Sequence, residues 1–221
     1  MSGSLERSGL HVEGADDMHS IVHLLIRHDL DYDSKPLPPS FPTIVDQHSI
    51  DKLLEGVETA VQVSGRRAVG FVLDADSPLI DRWNAVRDRL RKVDVDAPDD
   101  PPPDGFVGES SRYGSRVGVW LMPDNQCAGT LEHFLRTLIA DNDILIGHAE
   151  SSTQTAKALG ARFRGTDTLK AVIHAWLAWQ EEPGRPYGTA IRARFFRHDS
   201  AAALAFVAWF RRLYEISSAP G

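Results

Sequence analysis

Apolar positions along this chain follow two rhythms, short unbroken runs and repeats of three and four, and the two alternate. Leu10-His11-Val12 reads as a strand ending at Glu13-Gly14, after which Met18, Ile21, Val22, Leu25 and Ile26 fall at helical spacing and predict a helix from about Asp16 to His28. A Pro- and Asp-rich loop, Asp29 to Pro42, leads to Thr43-Ile44-Val45, an expected edge strand. Ile50, Leu53, Leu54, Val57, Ala60 and Val61 give a second helix. Arg67 to Leu73 is the clearest buried strand and runs into Asp74-Ala75-Asp76. Ser77 as N-cap and Pro78 at the first turn then predict a helix over Leu79 to about Val93. Asp94 to Gly108, dense in Asp and Pro, predicts an exposed, mobile loop. Val117 to Met122 is a further strand ending at Pro123-Asp124-Asn125, and Thr130 opens a helix through Leu131, Phe134, Leu135, Leu138 and Ile139. Beyond Ala149 the pattern is helical, at Ala156 to Leu159, Leu169 to Gln180 and Ala201 to Tyr214. Trp176, Trp179, Phe206 and Trp209 are expected in the core there.

Strands alternating with helices predict an α/β fold, a Rossmann-like, mainly parallel sheet with helices on both faces. The expected division is an α/β domain over residues 1–148 and a mainly helical C-terminal extension, 149–221, packed on it. In such sheets ligands collect beyond the carboxyl ends of the strands. Those ends carry Glu13, the pair Asp74 and Asp76, and Asp124, so acids far apart in sequence are expected on one edge.

Asp74 and Asp76 are two residues apart and share a face of an extended backbone. Asp17, four residues after Glu13, faces the same edge if the helix starts after Gly14, and Glu132 is a weaker addition beside Asp124. Carboxylates this close repel and hold protons unless a cation lies between them. Oxygen donors without cysteine select magnesium or manganese. Such a centre suits phosphodiester chemistry, in which metal offsets the charge gathering on phosphorus and activates water. Ordinary helix capping would explain Asp74 alone, but not Glu13 and Asp76 with it.

His11-Val12-Glu13-Gly14 and Val72-Leu73-Asp74-Ala75-Asp76, each at the end of an apolar strand and followed by a helix, resemble the TOPRIM fold of topoisomerases, bacterial primases, RNA maturases and OLD-family nucleases. The likeness covers about residues 8 to 145. It implies that Glu13 is the general acid/base and that Asp74 and Asp76 hold metal. Glu13 with Asp17 resembles the OLD-type branch. Trp120-Leu121-Met122-Pro123-Asp124-Asn125, Leu131-Glu132 and Trp179-Gln180-Glu181-Glu182-Pro183-Gly184 look like a group of short bacterial TOPRIM-like proteins. The resemblance implies a magnesium-dependent, nuclease-like enzyme acting on DNA or RNA, and by analogy a role in phage defence with an ATPase partner. The alternatives are a non-catalytic module binding nucleic acid, nucleotide or protein, and a hydrolase of small phosphorylated molecules.

Charge qualifies the nucleic-acid expectation. The formal net charge is −7, but residues 1–150 hold 14 Lys and Arg against 26 Asp and Glu, whereas residues 151–221 hold 10 against 5. Arg162, Arg164 and Lys170 are the leading candidates for phosphate contacts, followed by Arg185, Arg192, Arg194 and Arg197; a merely solvated surface is the competing explanation. The segment MSGSLERSGL has no apolar stretch of a secretory signal, the run Ala201 to Phe210 is too short to cross a bilayer, and Cys127 is the single cysteine. A cytoplasmic protein without membrane contact, able to form a homo-oligomer, is therefore expected. His19 and His23 lack the glutamate and third ligand of a zinc site and are read as a helix face. Tyr113 and Tyr187 invite comparison with topoisomerase nucleophiles, but the chain has no room for the DNA gate, and it has no G-x-x-x-x-G-K-[ST] loop to bind ATP.

Overall fold

The computed structural model describes residues 8–75 and 78–217. The elements run β1 (Gly9–Val12), α1 (Ala15–Ile26), β2 (Thr43–Asp46), α2 (Ile50–Ser64), β3 (Ala68–Asp74), α3 (Leu79–Lys92), β4 (Phe106–Glu109), β5 (Arg116–Met122), α4 (Leu131–Thr137), α5 (Ile144–Ala158), α6 (Thr168–Leu177), α7 (Tyr187–Arg192) and α8 (Ala201–Tyr214). The strands form one sheet in the order β2-β1-β3-β5-β4, parallel except for β4, which runs antiparallel to β5. This is the expected α/β architecture. Among the described residues no helix is long and apolar enough to cross a membrane.

The central strands are apolar on both faces because both faces are covered. Val69, Phe71 and Leu73 of β3, with Val117, Val119 and Leu121 of β5, pack against α2 and α3. Their alternates Val72, Trp120 and Met122 join Leu10 and Val12 of β1 in a cluster with α1 and with α4 to α8. Leu10, Val12, Leu24 and Leu25 are each 0% exposed, and burial of each side chain contributes roughly 1.5–3 kcal/mol. α8 lies close against the sheet because Gly70 and Gly118 stand side by side in register with no side chains to hold it off. A Cβ on Gly118 would lie 2.5 Å from Leu213, and one on Gly70 2.6 Å from the Tyr214 hydroxyl. That hydroxyl donates to the Gly9 carbonyl at 2.6 Å, which ties the last helix to the first strand.

Three expectations need correction. The Asp94 to Gly108 segment is not a free loop: Val95 and Ala97 are buried, Trp83 donates its indole N–H to the Pro98 carbonyl at 3.1 Å, and the segment ends in β4. Its few apolar residues are spaced to reach the groove beside α3, so composition misleads here. Trp179 is 41% exposed and rests on His148, unlike the buried Trp176 and Trp209. α5 begins at Ile144, well ahead of Ala156, with the Asp143 carboxylate capping it at the Leu145 N–H, 2.8 Å away. Leu79 is the first residue of α3, with Pro78 at its cap position, while Asp76 and the expected cap Ser77 lie outside the described residues.

Candidate functional site

β1 connects through α1 to β2 on one side of it, whereas β3 leads on to strands on its other side. Neighbouring strands whose connections diverge leave a crevice at their carboxyl ends. A cleft of about 420 Å³ opens there, lined by the turn after β1 and the start of α1, the residues before α2, the end of β3, the start of α4, and Lys170 from α6.

Glu13 leaves β1 one residue after Val12, level with the end of the paired β3, and its Oε1 accepts the Asp74 backbone N–H at 2.7 Å. Asp74 in turn accepts the Leu131 N–H on Oδ1 at 2.9 Å, so β3 caps the N-terminus of α4 from across the sheet. The Ala75 N–H donates to the Gly129 carbonyl at 2.8 Å and fixes the same junction. Gly14 takes an extended conformation as the N-cap of α1, and Asp17 in the first turn turns back toward it. Glu132, beside Leu131, accepts the Thr130 hydroxyl on Oε2 at 2.8 Å. The Lys170 ammonium spans the mouth, 3.6 Å from Glu132 Oε1 and 3.7 Å from Asp16 Oδ2.

The electrostatic consequence is large. Burial, then the charges of Asp17, Glu13 and Glu132, push the Asp74 carboxyl up to about 9, with the Leu131 N–H acting against them. Burial and the charges of Glu13 and Glu132 likewise push Asp17 up to about 7, opposed by hydrogen bonds from the backbone of Asp17 and Gly14. The cleft therefore favours the protonated form of Asp74 at neutral pH. The N-termini of α1 and α2 also point here, a polarity that favours anionic groups.

Glu13, Asp17, Asp74 and Glu132 are thus brought to one cleft. Asp76 lies outside the described residues. Asp124 does not join them: its Oδ1 accepts the Gln126 and Cys127 N–H groups at 3.0 and 2.8 Å, shaping its own turn, and it borders a different cleft beside α8. Lys170, anticipated as a phosphate contact, lies over the acids. Arg162 and Arg164 are exposed on the α5–α6 connection, Arg164 paired with Asp167 at 2.9 Å. Arg192 pairs with Asp33 at 2.8 Å and Arg197 with Asp199 at 3.0 Å, so much of the basic tail is neutralised by nearby acids. His23 is packed under Gly188 of α7, as a helix-face histidine would be. Among the described residues no group of three or more His, Cys, Asp and Glu is placed so that it could hold a metal ion.

Sequence reasoning missed Asp16, His48 and Ser49, which also line the cleft. The signal for the last two was present, since β2 ends at Asp46 on the same edge as β1 and β3. No curated protein and no solved structure matches the chain. A family model described as protein of unknown function (DUF3226) matches residues 7–215, and the chain belongs to that family.

Proposed function

We propose that this chain carries out magnesium-dependent phosphodiester chemistry, with nucleic acid as its substrate class. The observation that carries the reading is the convergence of Glu13, Asp17 and Asp74 from two neighbouring strand ends, with burial and neighbouring carboxylates raising the Asp17 and Asp74 pKa values. The donors are all hard oxygens, the type that suits magnesium or manganese, and a cation would offset the carboxylate charges that, after burial, raise these pKa values. The resemblance of Glu13 and the Asp74-Ala75-Asp76 segment to TOPRIM proteins supports the same assignment.

Asp17 and Asp74, with Asp76 by resemblance, would hold the ion. When bound, it would supply charge neutralisation at phosphorus and a water of lowered pKa. Glu13, fixed by the Asp74 N–H, would take the proton from the attacking oxygen or return one to the leaving oxygen. Lys170 and the N-terminus of α2 would receive the negative phosphate oxygens at the mouth.

A second reading, a binding module without turnover, is favoured by one observation: Glu13 and Asp74 each already anchor a backbone N–H. Cleavage assays with single-stranded DNA, duplex DNA, RNA and a generic phosphodiester in Mn²⁺ separate the two. The wild type should cut at least one substrate, and Glu13→Gln and Asp74→Asn should each lose at least ~100-fold in rate while remaining folded. Full activity in both variants refutes the catalytic assignment, and Mn²⁺ binding without turnover on any substrate establishes the binding module.

A further inference from the structure

α5 meets the rest of the chain through a narrow face: Ile146, Ala149 and Thr153 are its buried residues, and α6 packs along it. At about 100° per residue, Ile144, Gly147, Ser151, Thr155, Ala158 and Leu159 fall together on the opposite face. All six are exposed and none is charged, although a quarter of the chain's residues are, whereas a merely solvated face carries charges. The charged residues of α5 lie off this face, Glu150 toward Arg136 of α4 and Lys157 toward the Phe163 carbonyl. Ile144 and Leu159, at the two ends, are 87% and 84% exposed, and Trp179 on His148 widens the apolar area one turn from Ile144. Between them the surface is low. Its hydroxyls are already committed, Ser151 donating to the Gly147 carbonyl at 2.9 Å and Thr155 to the Ser151 carbonyl at 3.0 Å.

Charge at the two ends identifies the occupant. Asp141 precedes the helix and Arg162 follows it; both are exposed, and neither has an ion-pair partner among the described residues, unlike Arg164, which holds Asp167. We propose that α5 docks antiparallel on α5 of a second copy of this chain, about a two-fold axis close to Ser151. Such a contact uses the same patch on both copies. It sets Ile144 against the second copy's Leu159 at both ends, lets the small central residues bring the helices close, and places Asp141 opposite the second copy's Arg162 twice. Parallel pairing would set acid against acid and base against base. The 15 residues of α5 span about 22 Å. One such contact covers less than the ~800 Å² per partner of a standard interface, so association is expected at micromolar concentrations.

Sedimentation velocity of the full chain from about 1 to 500 µM tests this, and the wild type should pass from monomer to dimer within that range. Ser151→Glu, which brings like charges together at the axis, should keep its helical circular dichroism and stay monomeric throughout. Asp141→Arg and Arg162→Asp should each weaken dimerisation about tenfold, and the two combined should restore it, because antiparallel pairing exchanges these partners. If Ser151→Glu loses helix, the charge exchange decides alone. A wild type that stays monomeric, a folded Ser151→Glu that still dimerises, or a double variant no tighter than either single one overturns the proposal.

Discussion

Asp74→Asn should stabilise the metal-free protein, and by an amount that depends on pH. Asparagine keeps an oxygen for the Leu131 N–H but carries no charge into a group of carboxylates. In the wild type the Asp74 pKa rises from 3.8 to about 9 on folding. The folded-state value exceeds the unfolded one, so the folded chain keeps a proton that the unfolded chain releases. The resulting cost is small below pH 3.8, grows as pH rises through the window up to about 9, and is constant above it. At neutral pH the unscreened cost is ~4 kcal/mol, and partial solvent contact reduces it to ~2 kcal/mol. Urea unfolding followed by tryptophan fluorescence in EDTA measures it directly. Asp74→Asn should exceed wild type by ~3 kcal/mol near pH 8 and differ from it by only ~0.5 kcal/mol near pH 4.5. Saturating Mn²⁺ should reverse the order, since only the wild type gains binding energy. A variant less stable than wild type near pH 8 in EDTA, or a difference that does not change with pH, would refute the reasoning.

Two further predictions concern the scaffold. Gly118→Ala should cost ~1–3 kcal/mol, because its Cβ would lie 2.5 Å from Leu213 and push α8 off the sheet; equal urea midpoints would contradict this packing. At the other end of α1, His28 donates from Nε2 to the His198 carbonyl at 2.8 Å, while burial first, then the neighbouring His198, Arg211 and Arg27, lowers its pKa. Its folded-state value lies below 6.5, so stability is full above that pH and is lost as pH falls through it; His28→Gln, which keeps a donor without taking a proton, should flatten melting temperature against pH between about 7 and 5.

Much of the fold was legible because its cause is local. β3 and β5 are continuous apolar runs since both faces of each strand are covered, and α1 and α2 show helical spacing since each buries one stripe. The 94–108 segment was misread because Asp and Pro dominate its composition, while Val95 and Ala97, the residues that dock it, are too few to form a period. The weak amphipathic character of α5 had the same effect: Ile144 and Leu145 are exposed, so its first turn carries no inward apolar stripe.

The candidate site divides along the same line. Its acidic half follows from a general property of parallel sheets, that strand ends sharing an edge bring their next residues together, and this placed Glu13 and Asp74 on one edge from sequence alone, where the structure joins them by the Asp74 N–H. Asp124 also follows a strand on that edge, but Gly129 and Leu131 intervene to bind Ala75 and Asp74, and the chain after β5 turns its carboxylate inward on its own loop. The cationic half has no such local rule. Lys170 reaches the acids because α6 packs on α4 and α5, a placement that depends on helix contacts formed far along the chain. A cleft whose acids are set by the sheet and whose counter-charge is set by the C-terminal helices couples docking of those helices to the charge state of the cleft. Changes that loosen α6 should therefore alter the charge balance of the cleft, read as a shift in the pH dependence of stability, even where no carboxylate is touched.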